Sequence, residues 1–66
     1  MDIKVNDKPY AVADGMTVEE LLPVIGVAAD GIAVAVDGTV VPRIEWNTHR
    51  LADGASVVVI KAFYGG

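Results

Sequence analysis

The 66-residue chain contains no cysteine, and histidine occurs once, at His49. Without cysteine the chain has no thiol nucleophile, no disulfide and no cysteine-based zinc or redox site. His49 has no Cys, Asp or Ser arrangement around it in the sequence, which indicates a solvent-facing loop residue. A domain of this size buries only about 60% of the surface that its unfolded chain exposes. It must therefore be stabilised by packing alone.

Basic residues and long apolar runs are also scarce. Five Lys and Arg against nine Asp and Glu give a formal net charge of −4 and a pI near 4.5. This balance argues against nucleic acid or anionic lipid as the main partner and fits docking on a basic protein surface. No apolar run approaches the ~20 residues of a membrane span. The first four residues lack the charged and then apolar pattern of a secretion signal. We expect a soluble, cytoplasmic protein that binds neither nucleic acid nor membrane.

Aromatic residues make up 6% of the chain, whereas hydrophobic residues make up 53%. The core is therefore predicted to consist of Val, Ile, Leu and Ala. The mean hydropathy of +0.47 is high for so small a chain. Some apolar surface is predicted to be exposed, and contiguous exposed apolar surface often marks a partner site.

The first half of the chain predicts a hairpin followed by a helix. Residues 2–5 alternate as a half-buried strand, residues 6–8 form a turn, and residues 9–12 return, with Pro9 suited to an edge strand. Thr17 is the predicted helix N-cap, and Glu20 completes a capping box. Glu19 and Glu20 are helix neighbours that do not face each other, which argues against a catalytic pair. Further predicted helix features are Met16 packing on Leu21, a bend or shortening at Pro23, a stop at Gly26, and core contacts from Leu21, Leu22 and Ile25.

The second half predicts three more strands. Residues 32–36 form a strand with a bulky face toward the helix, Asp37-Gly38 is a hairpin turn, and residues 39–41 return. Residues 43–50 are predicted to form a loop with a helical turn, and residues 51–54 are predicted to form another turn. Residues 56–63 are nearly all apolar, which predicts a central strand buried on both faces. In the loop, Trp46 is interpreted as a packing anchor with its N–H satisfied. Arg43 is interpreted as pairing with Glu45 or another acidic neighbour, with contact to a partner enzyme as the alternative.

The order strand, strand, helix, strand, strand, strand places the last strand beside the first and parallel to it, with the helix covering one face. This is an α+β, β-grasp (ubiquitin-like) arrangement with a mixed five-stranded sheet and one short helix. Residues 1–62 form the predicted domain, and residues 63–66 form a tail ending in Gly-Gly.

The tail carries the candidate functional group. Gly65 and Gly66 lack side chains, so they can enter a narrow cleft, and the chain ends in a carboxylate that is ionised at neutral pH. The carboxylate of Gly66 is the predicted reacting group. Gly65, which has no side chain, is predicted to leave room for this carboxylate to enter the cleft. Phe63 and Tyr64 are either partner contacts or the last strand residues.

Three motifs resemble the ThiS family of sulfur carriers within the ubiquitin-like group. Residues 17–22 match its Thr-Val-x-Glu-Leu-Leu, residues 41–46 match its Val-Pro-Arg-x-x-Trp, and the Asp53-Gly54 turn, apolar strand and Gly-Gly match its closing segment. The chain departs from the family pattern at Pro23, at Ala55, where an acidic residue is common, and at the bulky Phe63-Tyr64.

The resemblance implies a carrier rather than an enzyme, without a bound cofactor. A ThiF-like adenylating enzyme would use ATP and Mg to activate Gly66. Sulfur from a persulfide donor would then give a thiocarboxylate, which would supply a ThiG-like thiazole synthase in thiamine biosynthesis. The open face of the sheet, with nearby Asp and Glu, is the predicted docking surface for the activating enzyme.

Three other functions stay open at this point. A molybdopterin-synthase small-subunit-like carrier would co-purify with the large subunit of that enzyme, although such carriers are usually longer and carry prolines before Gly-Gly. A ubiquitin-like protein modifier would appear in isopeptide conjugates through Gly66. A plain interaction domain would tolerate removal of Gly66.

Overall fold

The structure, a computed structural model, describes residues 1–61. It contains five strands, one α-helix and one 3-10 turn. In chain order these are β1 (Asp2–Val5), β2 (Lys8–Ala11), α1 (Val18–Val24), β3 (Ile32–Val36), β4 (Thr39–Val41), the 3-10 turn Arg43–Glu45 and β5 (Ser56–Lys61).

The strands form one mixed sheet in the order β2-β1-β5-β3-β4. β5 lies in the centre, parallel to β1 and antiparallel to β3, and the two hairpins β1-β2 and β3-β4 flank it. With one helix, this is the predicted β-grasp arrangement. Pro9 lies on the edge strand β2, as predicted, where its missing N–H costs little. The predicted boundary between domain and tail, at residues 62–63, lies outside the described residues.

Both hairpins turn on two residues with positive φ. In the β3-β4 turn, Asp37 and Gly38 have φ values of 50° and 83°, which confirms the predicted turn. In the β1-β2 turn, Asn6 and Asp7 have φ values of 49° and 68°. The predicted three-residue turn at residues 6–8 is therefore wrong by one residue: Lys8 already pairs with Val5, because two left-handed residues reverse the chain.

Helix α1 begins with the predicted capping box. The Thr17 hydroxyl accepts the Glu20 N–H at 3.2 Å, and the Glu20 carboxylate accepts the Thr17 N–H at 2.9 Å. The N–H groups of Val18 and Glu19 donate to carbonyls of the loop that follows β4. The start of the helix is thus fully hydrogen-bonded and tied to that loop.

The end of α1 combines an internal proline with a glycine cap. Pro23 lies inside the helix, which ends one residue later, so the predicted shortening is confirmed. Gly26 has a φ of 72°. Its N–H donates to the carbonyl of Pro23, and the Val27 N–H donates to that of Leu22. These are the two hydrogen bonds of a Schellman motif, which satisfies the last helix carbonyls.

The core lies between α1 and one face of the sheet. Leu21 and Leu22 are buried as predicted, Ile25 and Met16 are half-buried against the core, and Trp46 is buried with its N–H donating to the Val41 carbonyl at 2.8 Å. The buried hydrophobic residues are Ile3, Val5, Val18, Leu21, Leu22, Val34, Val36, Val41, Trp46, Leu51, Ala55 and Val57.

β5 corrects one prediction from the sequence. Val57 is buried and Val59 half-buried, but Val58 and Ile60 on the opposite face are exposed. The predicted burial on both faces is wrong. The reason is that the described residues supply one helix, which covers one face of the sheet. A continuous apolar run therefore does not distinguish a doubly covered strand from one whose second face is open.

Candidate functional site

The residues predicted to react or to contact a partner, Gly66, Gly65, Tyr64 and Phe63, lie outside the described residues. Their roles stay predictions. The structure describes the strand that leads to them: β5 ends at Lys61, five positions before Gly66. The candidate site therefore consists of this end of β5 and the surfaces around it.

The end of β5 is held differently on its two sides. On one side it pairs with β3 through to the Lys61–Ile32 pair. On the other side its ladder with β1 reaches only Val57, and the side chain of Asn6 then takes over. Asn6 Oδ1 accepts the N–H of Val59 at 2.9 Å, and Nδ2 donates to the carbonyl of Val59 at 3.3 Å. Asn6 was not singled out from the sequence, where an Asn in a turn indicates only the turn.

The sheet face away from α1 carries the exposed apolar surface predicted from the mean hydropathy. Val40, Val58 and Ile60 expose 66%, 41% and 56% of their surface. The register makes them neighbours, since one β3 residue lies opposite both Val40 and Val58, and another lies opposite Ile60. This surface, called the open face below, consists of Ala33, Ala35, Val40, Val58 and Ile60.

Charged side chains border the open face on the β1 side. Lys4 lies opposite Ser56 in the parallel ladder, and side chains two residues apart on a strand share a face. Lys4 and Asp2 therefore lie on the same face of the sheet as Val58, and both are exposed. The apolar surface thus borders on charges of both signs.

Two grooves flank Lys61. A groove of about 420 Å³ lies between Lys61 and the connection from α1 to β3. A smaller groove of about 180 Å³ is lined by residues that include Tyr10, Val59, Lys8 and Lys61. Both grooves lie at the last described residue of β5.

The ionisable residues singled out from the sequence have structural contacts. Hydrogen bonds from the backbone and side chain of Thr17, followed by the charge of Arg50, lower the pKa of Glu20, as expected for a capping carboxylate. Arg43 pairs with Asp30 at 3.5 Å, so the acidic partner is Asp30 and not Glu45. The Arg43 guanidinium also lies 5.8 Å from the centroid of the Trp46 ring.

His49 corrects a second prediction. It lies in a loop, as predicted, but it is half-buried and not fully exposed, and its backbone joins the loop to the helix. Its N–H donates to Glu45, and its carbonyl accepts from Val18. Within residues 1–61, no group of three or more His, Asp or Glu side chains could hold a metal ion. The same part of the chain has no helix that is long and apolar enough to cross a membrane.

Comparisons with known proteins agree on one family. The sequence model of the ThiS family matches residues 3–66. The chain is 35% identical to the sulfur carrier protein ThiS of Escherichia coli (strain K12) over 66 residues, which cover all of both chains. It is also similar to the crystal structure of the thiamine biosynthesis protein (ThiS) of Geobacter metallireducens, with a TM-score of 0.85 and 35% identity over 100% of this chain and 99% of that one. A solution structure of a thiamine biosynthesis protein from the same organism gives a TM-score of 0.78 and 32% identity, over 100% and 88% of the two chains.

Proposed function

Because this chain belongs to the ThiS family, we propose that it is a sulfur carrier of thiamine biosynthesis and that sulfur travels on the carboxylate of Gly66. The observation that supports this most is the extent of the family match, residues 3–66, which includes both terminal glycines. The full-length similarity to a protein named as a sulfur carrier supports it further. In this function the chain is the co-substrate of partner enzymes.

The proposed chemistry begins from a poor electrophile. The charge and resonance of a carboxylate oppose attack on its carbon. A ThiF-like enzyme would therefore transfer AMP from Mg-ATP to the Gly66 carboxylate and release pyrophosphate. A donor persulfide would attack the acyl carbon and expel AMP, and a thiol would cleave the resulting S–S bond. The product is a thiocarboxylate on Gly66, which a ThiG-like thiazole synthase would use for ring formation.

The domain formed by residues 1–61 would present this group to the partner enzymes. β5 lies in the centre of the sheet and leads directly to the tail. Its pairing with β3 as far as Lys61 fixes the strand from which the tail begins. A fixed starting point reduces the loss of conformational freedom when a partner binds the tail.

The open face is proposed as the docking surface for the adenylating enzyme. Its exposed Val40, Val58 and Ile60 form contiguous apolar surface on β4 and on β5, the strand that leads to the tail. Burial of this surface would supply binding free energy. The net charge of −4 would favour a basic surface around the partner's apolar contact, and binding would weaken as salt is added.

The deciding experiment incubates the full chain with the cognate ThiF-like enzyme, Mg-ATP and a persulfide donor and measures the intact mass. The expected result is a mass gain equal to one exchange of oxygen for sulfur, which fragmentation assigns to Gly66. Omission of ATP and a chain truncated after Gly65 are the controls. No gain with the cognate enzyme, or a gain assigned elsewhere, contradicts the proposal.

A further inference from the structure

Asn6 binds the last strand with both its backbone and its side chain. Its backbone N–H donates to the carbonyl of Val57 at 2.9 Å. Its side-chain amide accepts from the N–H of Val59 and donates to the carbonyl of the same residue, at 2.9 and 3.3 Å. One side chain therefore satisfies both backbone groups that Val59 directs away from β3, as a residue of a neighbouring strand would.

This contact lies at the point where β1 leaves the sheet. β1 ends at Val5, and the chain then turns toward β2 at Asn6 and Asp7. Without the Asn6 amide, the backbone N–H and carbonyl of Val59 would lose these two hydrogen bonds, and Val59 would keep only its position opposite Val34 of β3. Within residues 1–61, Val59 is the last β5 residue that hydrogen bonds hold on the β1 side of the strand. It stands two positions before Lys61, where the described strand ends.

We propose that Asn6 is a positioning residue for the C-terminal carboxylate. The inference rests on the proposed function. The amide of Asn6 extends the hydrogen bonds on the β1 side of β5 from Val57 to Val59, and this fixes the last described part of the strand that leads to Gly66. The partner enzyme then binds a tail that begins from an already ordered strand end. Loss of the amide frees the end of β5, which must then be ordered when the partner binds.

The turn itself offers a simpler explanation of Asn6. Its φ of 49° lies in the left-handed region, which Asn tolerates better than most residues do. Glycine adopts the same conformation without strain, so Asn6→Gly keeps the turn and removes only the amide. Asp7 is the matched control, because it has a φ of 68° in the same turn and no side-chain hydrogen bond to β5 within residues 1–61.

The test measures adenylation of the full chain by the cognate ThiF-like enzyme and hydrogen exchange of the Val59 amide in the free carrier. For Asn6→Gly we expect the KM for the carrier to rise about threefold to tenfold, the order of one net hydrogen bond. We expect kcat to stay within about twofold, because the bound complex reacts as before. The Val59 amide should exchange faster. Asn6→Asp keeps an acceptor for the Val59 N–H and should give an intermediate KM.

Asp7→Gly should match the unaltered chain, with Asp7→Asn reporting any effect of the lost charge. An unchanged KM in Asn6→Gly would show that Asn6 is a turn residue only. An equal rise in Asp7→Gly would assign the effect to the turn, and unchanged exchange at Val59 in Asn6→Gly would show that the amide does not hold the strand. Failure of the unaltered chain to be adenylated would instead overturn the proposed function, and the positioning role with it.

Discussion

The indole N–H of Trp46 donates to the backbone carbonyl of Val41 across 2.8 Å. The hydrogen bond joins the loop after β4 to the end of that strand, and the ring is buried in the core. The same loop supplies the Trp46 and His49 carbonyls that accept N–H groups from the first turn of α1. Trp46 thus fixes the loop that caps the helix.

Replacing Trp46 tests this link. Trp46→Phe keeps an aromatic ring but removes the donor, and it should lower the free energy of unfolding by about 1–3 kcal/mol. Trp46→Ala should cost about 3–5 kcal/mol, which is most of the stability of so small a domain. Urea denaturation measures both values. Ile44→Ala is the control, since Ile44 is 86% exposed and its loss should change stability by less than about 0.5 kcal/mol.

The capping box predicts a dependence of stability on pH. The folded-state pKa of Glu20 lies below the ordinary value of 4.5, because Thr17 and then Arg50 favour the ionised carboxylate. Its contribution is therefore fully present above about pH 4.5 and is lost as pH falls through the folded pKa. The difference in melting temperature between the unaltered chain and Glu20→Gln should be largest near neutral pH and should shrink below pH 4.5. Glu19→Gln alters the same helix turn outside the capping box and should not reproduce this pattern.

Pro23 predicts a stabilising substitution. Proline in a helix interior lowers the free energy of unfolding by about 3 kcal/mol, but Pro23 lies in the last turn of α1, where the loss should be smaller. The rigidity of proline also restricts the unfolded chain, which stabilises the folded protein by about 0.4–1 kcal/mol. Pro23→Ala should raise the free energy of unfolding by about 1 kcal/mol and extend protection from hydrogen exchange at the end of α1. Val24→Ala, a change at the exposed neighbour, should not. A less stable Pro23→Ala would show that the restriction of the unfolded chain dominates.

The open face predicts separable effects on binding and on folding. Val58→Ser and Ile60→Ser should each weaken binding to the adenylating enzyme by about tenfold, as expected for the loss of about 1.4 kcal/mol of apolar contact. Both side chains are exposed in the free carrier, so the melting temperature should fall only slightly. Isothermal titration at two salt concentrations also tests the electrostatic part. Val24→Ser, an exposed apolar change on the helix, should bind normally. Equal weakening in that variant would place the docking surface elsewhere.

Local sequence determined the elements and several of their ends. The capping box at Thr17 and Glu20, the turn at Asp37 and Gly38 and the stop at Gly26 depend on residues within a few positions of one another, so their outcome could be predicted. The β-grasp order followed from the sequence of elements, because a central last strand and a single helix leave few ways to cover the sheet. The family motifs then directed attention to Gly65 and Gly66.

Only the tertiary structure decided what lies on each side of β5. The run of β-branched residues is the same whether one face of the sheet or both are covered. The one helix in residues 1–61 covers one face and leaves Val58 and Ile60 exposed. The half-burial of His49 also belongs to the folded chain, in which its backbone bonds to Glu45 in its own loop and to Val18 in α1. The amide of Asn6 reaches Val59, 53 positions away, and no local pattern encodes that pairing. Long-range contacts of this kind form only after the sheet has assembled. The sequence therefore predicted a turn at Asn6, whereas in the folded protein the same residue also hydrogen-bonds to β5.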